Sequence, residues 1–229
     1  MARWKAVVFD LDDTLYPERS FVLSGFRAAA QWAELYLAIP ASEGITELAR
    51  LYEDGVRGNT FDKWLGQRGC YSPQTVGELI KIYREHSPTL RPFPETKDML
   101  QRLRARRHNI GLLSDGLLGV QRRKLSALHL VEYFDVVVLS DQFGREAWKP
   151  NPETFRRLLQ ILGLSGDECI YVGDNPLKDF VGAKQLGMFT MRVCHPEGIY
   201  RDVQPPTPAY APDVTCFGLA EVEKAILSS

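Results

Sequence analysis

The 229-residue chain predicts an α/β fold: a mainly parallel sheet flanked by helices, interrupted after its first strand by an all-helical insert. Three observations carry this reading. Short apolar runs at residues 4–9, 109–114, 134–139, 169–173 and 188–193 are nearly continuous, which suits strands buried on both faces. From Pro94 onward, stretches of helical periodicity alternate with these runs, the rhythm of parallel strands joined by helical crossovers. Between residues 17 and 90 the alternation stops, and only helix-spaced apolar residues punctuated by glycine and proline occur.

The first run, Trp4, Ala6, Val7, Val8 and Phe9, ends abruptly in Asp10-Leu11-Asp12-Asp13-Thr14. If the chain stays extended, the period of two puts Asp10 and Asp12 on one side and Leu11 opposite. Asp13 then points the other way and receives no role. Two carboxylates that close do not ionise together easily without a cation. A hard divalent ion with oxygen ligands, usually Mg²⁺, meets that need. A plainer reading stands beside this one, in which Asp12 or Thr14 merely starts the next element as a turn or cap residue. A calcium loop is excluded, because its sixth position would be Leu15 and its closing glutamate Phe21.

Helices are expected at 20–37, 42–54, 60–67 and 73–86, so residues 17–90 form one helical domain and residues 1–16 with 91–229 the α/β core. Within the core, helices are expected at 95–107, 119–129, 152–163 and 176–186. Residues 196–212 carry five prolines and read as a long extended connection to a last strand at 213–216 and a helix at 219–227. Pro205-x-x-Pro208 formally fits a polyproline ligand, but a surface loop is the simpler reading.

In such sheets the ligand site lies beyond the carboxyl ends of the strands. Ser114-Asp115-Gly116 follows the second strand of the core. Ser114 reads either as a turn former or, with neighbouring N–H groups, as an anion holder at a helix start. Lys149 precedes Pro150-Asn151-Pro152, where Asn151 caps the next helix. A surface lysine is the bland reading; at a strand end near several acids, an anion-binding one is preferred. Val172-Gly173-Asp174-Asn175-Pro176 follows the fourth strand, with Asp179 five residues beyond Asp174. Capping explains Asn175 and Pro176 but not the two acids.

Composition narrows the class. A formal charge of −1 gives no reason to expect nucleic acid or an anionic membrane as partner. The basic run Arg102, Arg104, Arg106 and Arg107 lies in an expected helix and reads as a solvated face. Cys70, Cys169, Cys194 and Cys216 show neither a Cys-x-x-Cys pair nor zinc-type spacing, and a reduced cytoplasmic protein is the simplest account. No signal-peptide region or membrane-length apolar run occurs.

With these motifs in order, the chain resembles the haloacid dehalogenase superfamily of phosphohydrolases, in the branch with a helical cap inserted after the first strand of a Rossmann-like core. Asp10-Leu11-Asp12-Asp13-Thr14 matches its first motif, Ser114 its second, Lys149 its third and Gly173-Asp174-x-x-x-x-Asp179 its fourth. The resemblance implies Asp10 as nucleophile forming an aspartyl-phosphate and Asp12 as general acid and base. It implies phosphate binding around Ser114, Lys149, Thr14 and Asp115. It implies Mg²⁺ held by the Asp10 carboxylate, the Asp12 carbonyl and Asp174, with Asp179 and Asn175 supporting. To act as an acid, Asp12 needs its pKa raised by burial or acidic neighbours. An acid at position 12 also favours a phosphatase over a dehalogenase, whose halide leaving group needs no proton. Asp115 departs from the pattern: many relatives with a similar Gln-x-x-Lys-Leu helix, here Gln121 to Leu125, have Asn there.

The expected activity is Mg²⁺-dependent hydrolysis of a small phosphorylated metabolite, a sugar phosphate or nucleotide monophosphate, by a monomer or homodimer. The alternatives are a phosphate-binding regulatory protein without turnover and a phosphotransferase or phosphomutase. Arg57, Asn59, Tyr52 and Trp64 in the helical insert are candidates to read the leaving group, or else insert core and solvated surface.

Overall fold

The computed structural model describes residues 4–228. Its centre is a six-stranded sheet in the order β3-β2-β1-β4-β5-β6, with every pairing parallel. The strands are β1 (Ala6–Phe9), β2 (Asn109–Ser114), β3 (Val136–Leu139), β4 (Cys169–Gly173), β5 (Phe189–Val193) and β6 (Val214–Cys216). β1 lies inside the sheet with all four residues buried, which is why its run is unbroken by polar residues. Burial of Val7, Val8 and Phe9 stabilises the fold by roughly 1.5–3 kcal/mol each.

The topology locates the site. The chain runs outward from β1 through β2 to β3, then returns to the other side of β1 for β4, β5 and β6, so the order reverses between β1 and β4. That crevice is where open parallel sheets bind ligands. Phe9 is level with Leu112 of β2 and Val172 of β4, and the Asp10 N–H donates to the Val172 carbonyl at 2.8 Å. The acidic segment after β1 therefore emerges beside the ends of both neighbours.

Helices α5 (Thr96–Ala105), α6 (Leu118–Leu128), α7 (Glu153–Leu162) and α9 (Leu219–Leu227) match the expected segments to within a few residues. The segment 176–186 does not. Only α8 (Val181–Lys184) is helical, because side chains claim the backbone donors ahead of it. Asp179 Oδ2 accepts the Asn175 N–H at 2.8 Å and Asn175 Oδ1 accepts that of Leu177 at 2.9 Å. Gly182 then passes so near the 149–151 loop that an added Cβ would lie 2.5 Å from the Pro150 carbonyl.

The chain separates into two compact units, one running to Glu18 and resuming at Arg91, the other Arg19–Leu90. The second unit holds most of α1 (Glu18–Leu37) with α2 (Ala41–Glu53), α3 (Thr60–Gln67) and α4 (Pro73–Glu85). Its core includes Phe26, Leu48, Trp64 and Leu79, all buried. α4 starts where Ser72 Oγ accepts the Thr75 N–H at 3.0 Å and Pro73 occupies the first turn. Among the described residues no helix is long and apolar enough to cross a membrane. All four cysteines are free thiols.

Candidate active site at the carboxyl edge of the sheet

Lys149 is the centre of the site. Its side chain is fully buried, and its ammonium lies 2.6 Å from Asp10 Oδ1, 2.8 Å from Asp179 Oδ1 and 2.8 Å from the Tyr171 hydroxyl. Three N–H donors thus meet three oxygens. Burial disfavours the ammonium, but Asp10 and Asp179 outweigh it and keep Lys149 charged. Burial likewise pushes the Asp10 carboxyl up to about 6, with Lys149 opposing and Asp179 adding to the rise.

Asp174 extends from the end of β4. Its Oδ2 is buried without a hydrogen-bond partner among the described residues, and burial, then Asp179 and Asp10, drive its carboxyl well above the usual range. Gly173 makes the arrangement possible: a Cβ there would lie 2.6 Å from Asp179 Oδ2. One carboxylate oxygen from each of Asp10, Asp174 and Asp179 falls within 4.8 Å of the others. Three buried carboxylates converge here: Lys149 pairs with Asp10 and Asp179, the Lys178 charge acts on all three, and Asp174 Oδ2 has no hydrogen-bond partner among the described residues. That donor set fits a hard divalent cation and is costly without one.

Asp12 occupies a different environment. Lys124 Nζ lies 2.6 Å from its Oδ1, which also accepts from the Tyr16 hydroxyl, and Gln121 Nε2 donates to its Oδ2 at 2.8 Å. Burial works to raise its carboxyl, but the Lys124 cation and these hydrogen bonds prevail and hold it below the usual range. The raised pKa expected from the sequence is therefore corrected: the paired cation makes Asp12 an anion in this state.

The neighbouring acids are braces. Asp13, whose φ is 49°, accepts the Glu18 N–H at 2.7 Å and the Ile199 N–H at 3.0 Å, joining the start of α1 to the proline-rich connection. Asp115, expected among the phosphate-binding residues, accepts the Lys149 N–H at 3.2 Å and lies 3.3 Å from Lys178 Nζ. Burial raises its carboxyl, but Lys149 and Lys178 pull it down further, so its side chain stays anionic and offers an anion no donor. The extra charge left open by the sequence is thus neutralised by Lys178. Ser114 and Thr14 are fully buried, and the Thr14 hydroxyl has no hydrogen-bond partner among the described residues.

A family model described as Haloacid dehalogenase-like hydrolase matches residues 7–193. The chain belongs to the haloacid dehalogenase-like hydrolases. The hydrolase is 34% identical over 207 residues to a glyceraldehyde 3-phosphate phosphatase of Methanocaldococcus jannaschii, covering 87% of this chain and 88% of the relative. It is 31% identical over 151 residues to a phosphoserine phosphatase of Thermus thermophilus, covering 66% and 57% respectively. With phosphatases as its relatives, it is a phosphoric monoester hydrolase. Its fold superposes with a TM-score of 0.69 on a putative hydrolase of the same family from Bacillus subtilis, bound to magnesium, at 18% identity and covering 98% and 99% of the two chains.

Sequence reasoning missed several residues of the hydrolase that the structure brings to this edge: Tyr16, Gln121, Lys124, Tyr171 and Lys178. Gln121 and Lys124 were legible in principle, since residues three apart on a helix share a face and this helix starts at a strand end. In the helical unit, Trp64 is fully buried and donates to Glu47 at 2.8 Å, which makes it core. Arg57 stacks 3.7 Å over the Tyr52 ring and donates to the Tyr52 carbonyl at 2.5 Å; both line a cavity of about 220 Å³ with Phe26, Phe61 and Tyr83.

Proposed function

We propose that the hydrolase cleaves small phosphate monoesters through an aspartyl-phosphate on Asp10, with Mg²⁺ as cofactor. The observation that carries this is the buried Asp10, Asp174 and Asp179 cluster, with Lys149 paired to Asp10 and Asp179. Of the three, Asp10 is the one that directly follows β1, at the switch point, and its carboxyl, pushed up to about 6, is largely ionised at neutral pH. The Asp10 oxygen attacks phosphorus and the ester oxygen leaves; water then attacks the phosphoryl group and regenerates the carboxylate. Lys149 and Ser114 hold phosphoryl oxygens, and Thr14, with an unused buried hydroxyl, is a further donor there.

Mg²⁺ held by Asp10 and Asp174, with Asp179 in support, would supply the charge neutralisation that lets an anionic carboxylate approach an anionic ester. Asp12 begins as an anion paired with Lys124. A doubly charged phosphate brought beside it favours proton uptake, which equips Asp12 to protonate the leaving oxygen and then take the proton of the attacking water. Residues 17–90 serve as the cap that admits substrate. Both relatives are named for three-carbon phosphate esters, which supports substrates of that size over nucleotides.

The test is phosphate release from glyceraldehyde 3-phosphate, phosphoserine, hexose phosphates, nucleotides and an aryl phosphate, with Mg²⁺ or with chelator. Release from the three-carbon esters that needs metal and vanishes in Asp10→Asn is expected. Release that persists in Asp10→Asn overturns the assignment.

A further inference from the structure

Gln121 is buried to 1% exposure on α6, and its Nε2 lies 2.7 Å from Ser114 Oγ and 2.8 Å from Asp12 Oδ2. The amide can face these atoms in one orientation only. Turned over, its oxygen would meet a carboxylate that Lys124, 2.6 Å away, keeps ionised, and neither would carry a proton to share. Both hydrogens of the amide are therefore committed, one to each oxygen. A serine hydroxyl has one proton to give, and here Ser114 Oγ receives a hydrogen bond instead. Its own proton has no protein acceptor among the described residues.

The backbone accommodates this amide at a separate point. Gly116 adopts φ +130°, and a Cβ there would lie 3.0 Å from Gln121 Cδ and 3.2 Å from its Oε1. The Asp115-Gly116 pair thus leaves room for the glutamine side chain as well as making the turn.

We propose that Gln121 is a positioning residue for the phosphate site: by donating to both Asp12 and Ser114, it directs the Ser114 hydroxyl proton toward the bound phosphoryl group. This rests on the phosphatase reading above. Without the amide, nothing from α6 holds the Ser114 hydroxyl in that orientation, and the phosphate loses a fixed donor.

The experiment is calorimetric titration of inorganic phosphate into the Mg²⁺-loaded protein, for the parent, Gln121→Met, Ser114→Ala and the double variant. Methionine keeps the length and volume but cannot donate. Each single substitution is expected to weaken phosphate about 3- to 10-fold, as for one hydrogen bond. The double variant is expected to bind no more weakly than Ser114→Ala, since one residue acts through the other. A glutamine that only packs the interior would shift the melting temperature and leave phosphate affinity alone, which overturns the proposal, as do additive losses. If Ser114→Ala leaves phosphate binding unchanged, the placement of Ser114 in the phosphate site fails and the inference with it; if only Gln121→Met is silent, the inference alone fails. Should Gln121→Met not fold, Gln121→Asn, one methylene too short to reach, is expected to show the same loss, and parent-like affinity in it overturns the proposal.

Discussion

Lys149→Met removes the cation in direct contact with both Asp10 and Asp179 while leaving the volume nearly filled. Both carboxylates then lose a partner at under 3 Å in a site that is almost entirely buried. Breaking a buried ion pair by deleting one partner costs about 3–5 kcal/mol. The cost depends on pH in a known direction. In the parent, burial already pushes the Asp10 carboxyl up to about 6 with Lys149 holding it down; in the variant that restraint is gone and the carboxyl rises further. A carboxyl whose folded pKa lies above its unfolded value of about 4 binds more protons in the folded state. Stability is then intact below about pH 4 and is lost as pH rises through the folded pKa, by up to about 1.4 kcal/mol per pH unit for each carboxyl. Urea titrations of metal-free protein at pH 5 and pH 8 should show a small deficit at pH 5 and one of about 3–5 kcal/mol at pH 8. Equal deficits at the two pH values, or a deficit below about 1 kcal/mol at pH 8, would refute the shared-cation account.

The same linkage applies to the parent protein. Without metal its stability should decline from about pH 4 to 7, because Asp10 near 6 and Glu18, which burial and Asp12 push up to about 7, both bind protons preferentially in the folded state. Mg²⁺ should stabilise more at pH 8 than at pH 5, measured as the shift in melting temperature. Asp174→Asn is expected to raise metal-free stability at pH 8, since it neutralises a buried carboxylate with an orphaned oxygen, and to abolish stabilisation by Mg²⁺; a loss of metal-free stability would contradict the electrostatic reading. Gly173→Ala places a methyl against the Asp179 carboxylate, and a loss of about 2–4 kcal/mol in urea denaturation is expected from overpacking and a broken charged hydrogen bond.

Much of this was legible in the sequence because two periodicities were clean. Strands buried on both faces cannot hide polar residues, so β1 and β4 stood out, and the acids terminating them marked the carboxyl edge. Residues brought in by side-chain reach were harder to see. Lys124 and Gln121 come from a helix more than a hundred residues after Asp12, and although their spacing puts them on one face of it, nothing near Asp12 announces that they clamp it. Their presence reverses the expected direction of the Asp12 shift, which burial alone would have set. Tyr171 reads as an ordinary strand residue, yet its hydroxyl completes the coordination of Lys149. The failed helix at 176–186 has the same origin: Asp179 and Asn175 spend their side chains on the backbone where propensity favours helix.

The central claim is that Asp10 carries the phosphoryl group. The direct measurement is peptide mapping by mass spectrometry of protein acid-quenched during turnover of glyceraldehyde 3-phosphate with Mg²⁺. A single phosphoryl adduct on Asp10, absent from Asp10→Asn, is predicted. An adduct on another residue, or sustained turnover with Asp10 never modified, would contradict the account.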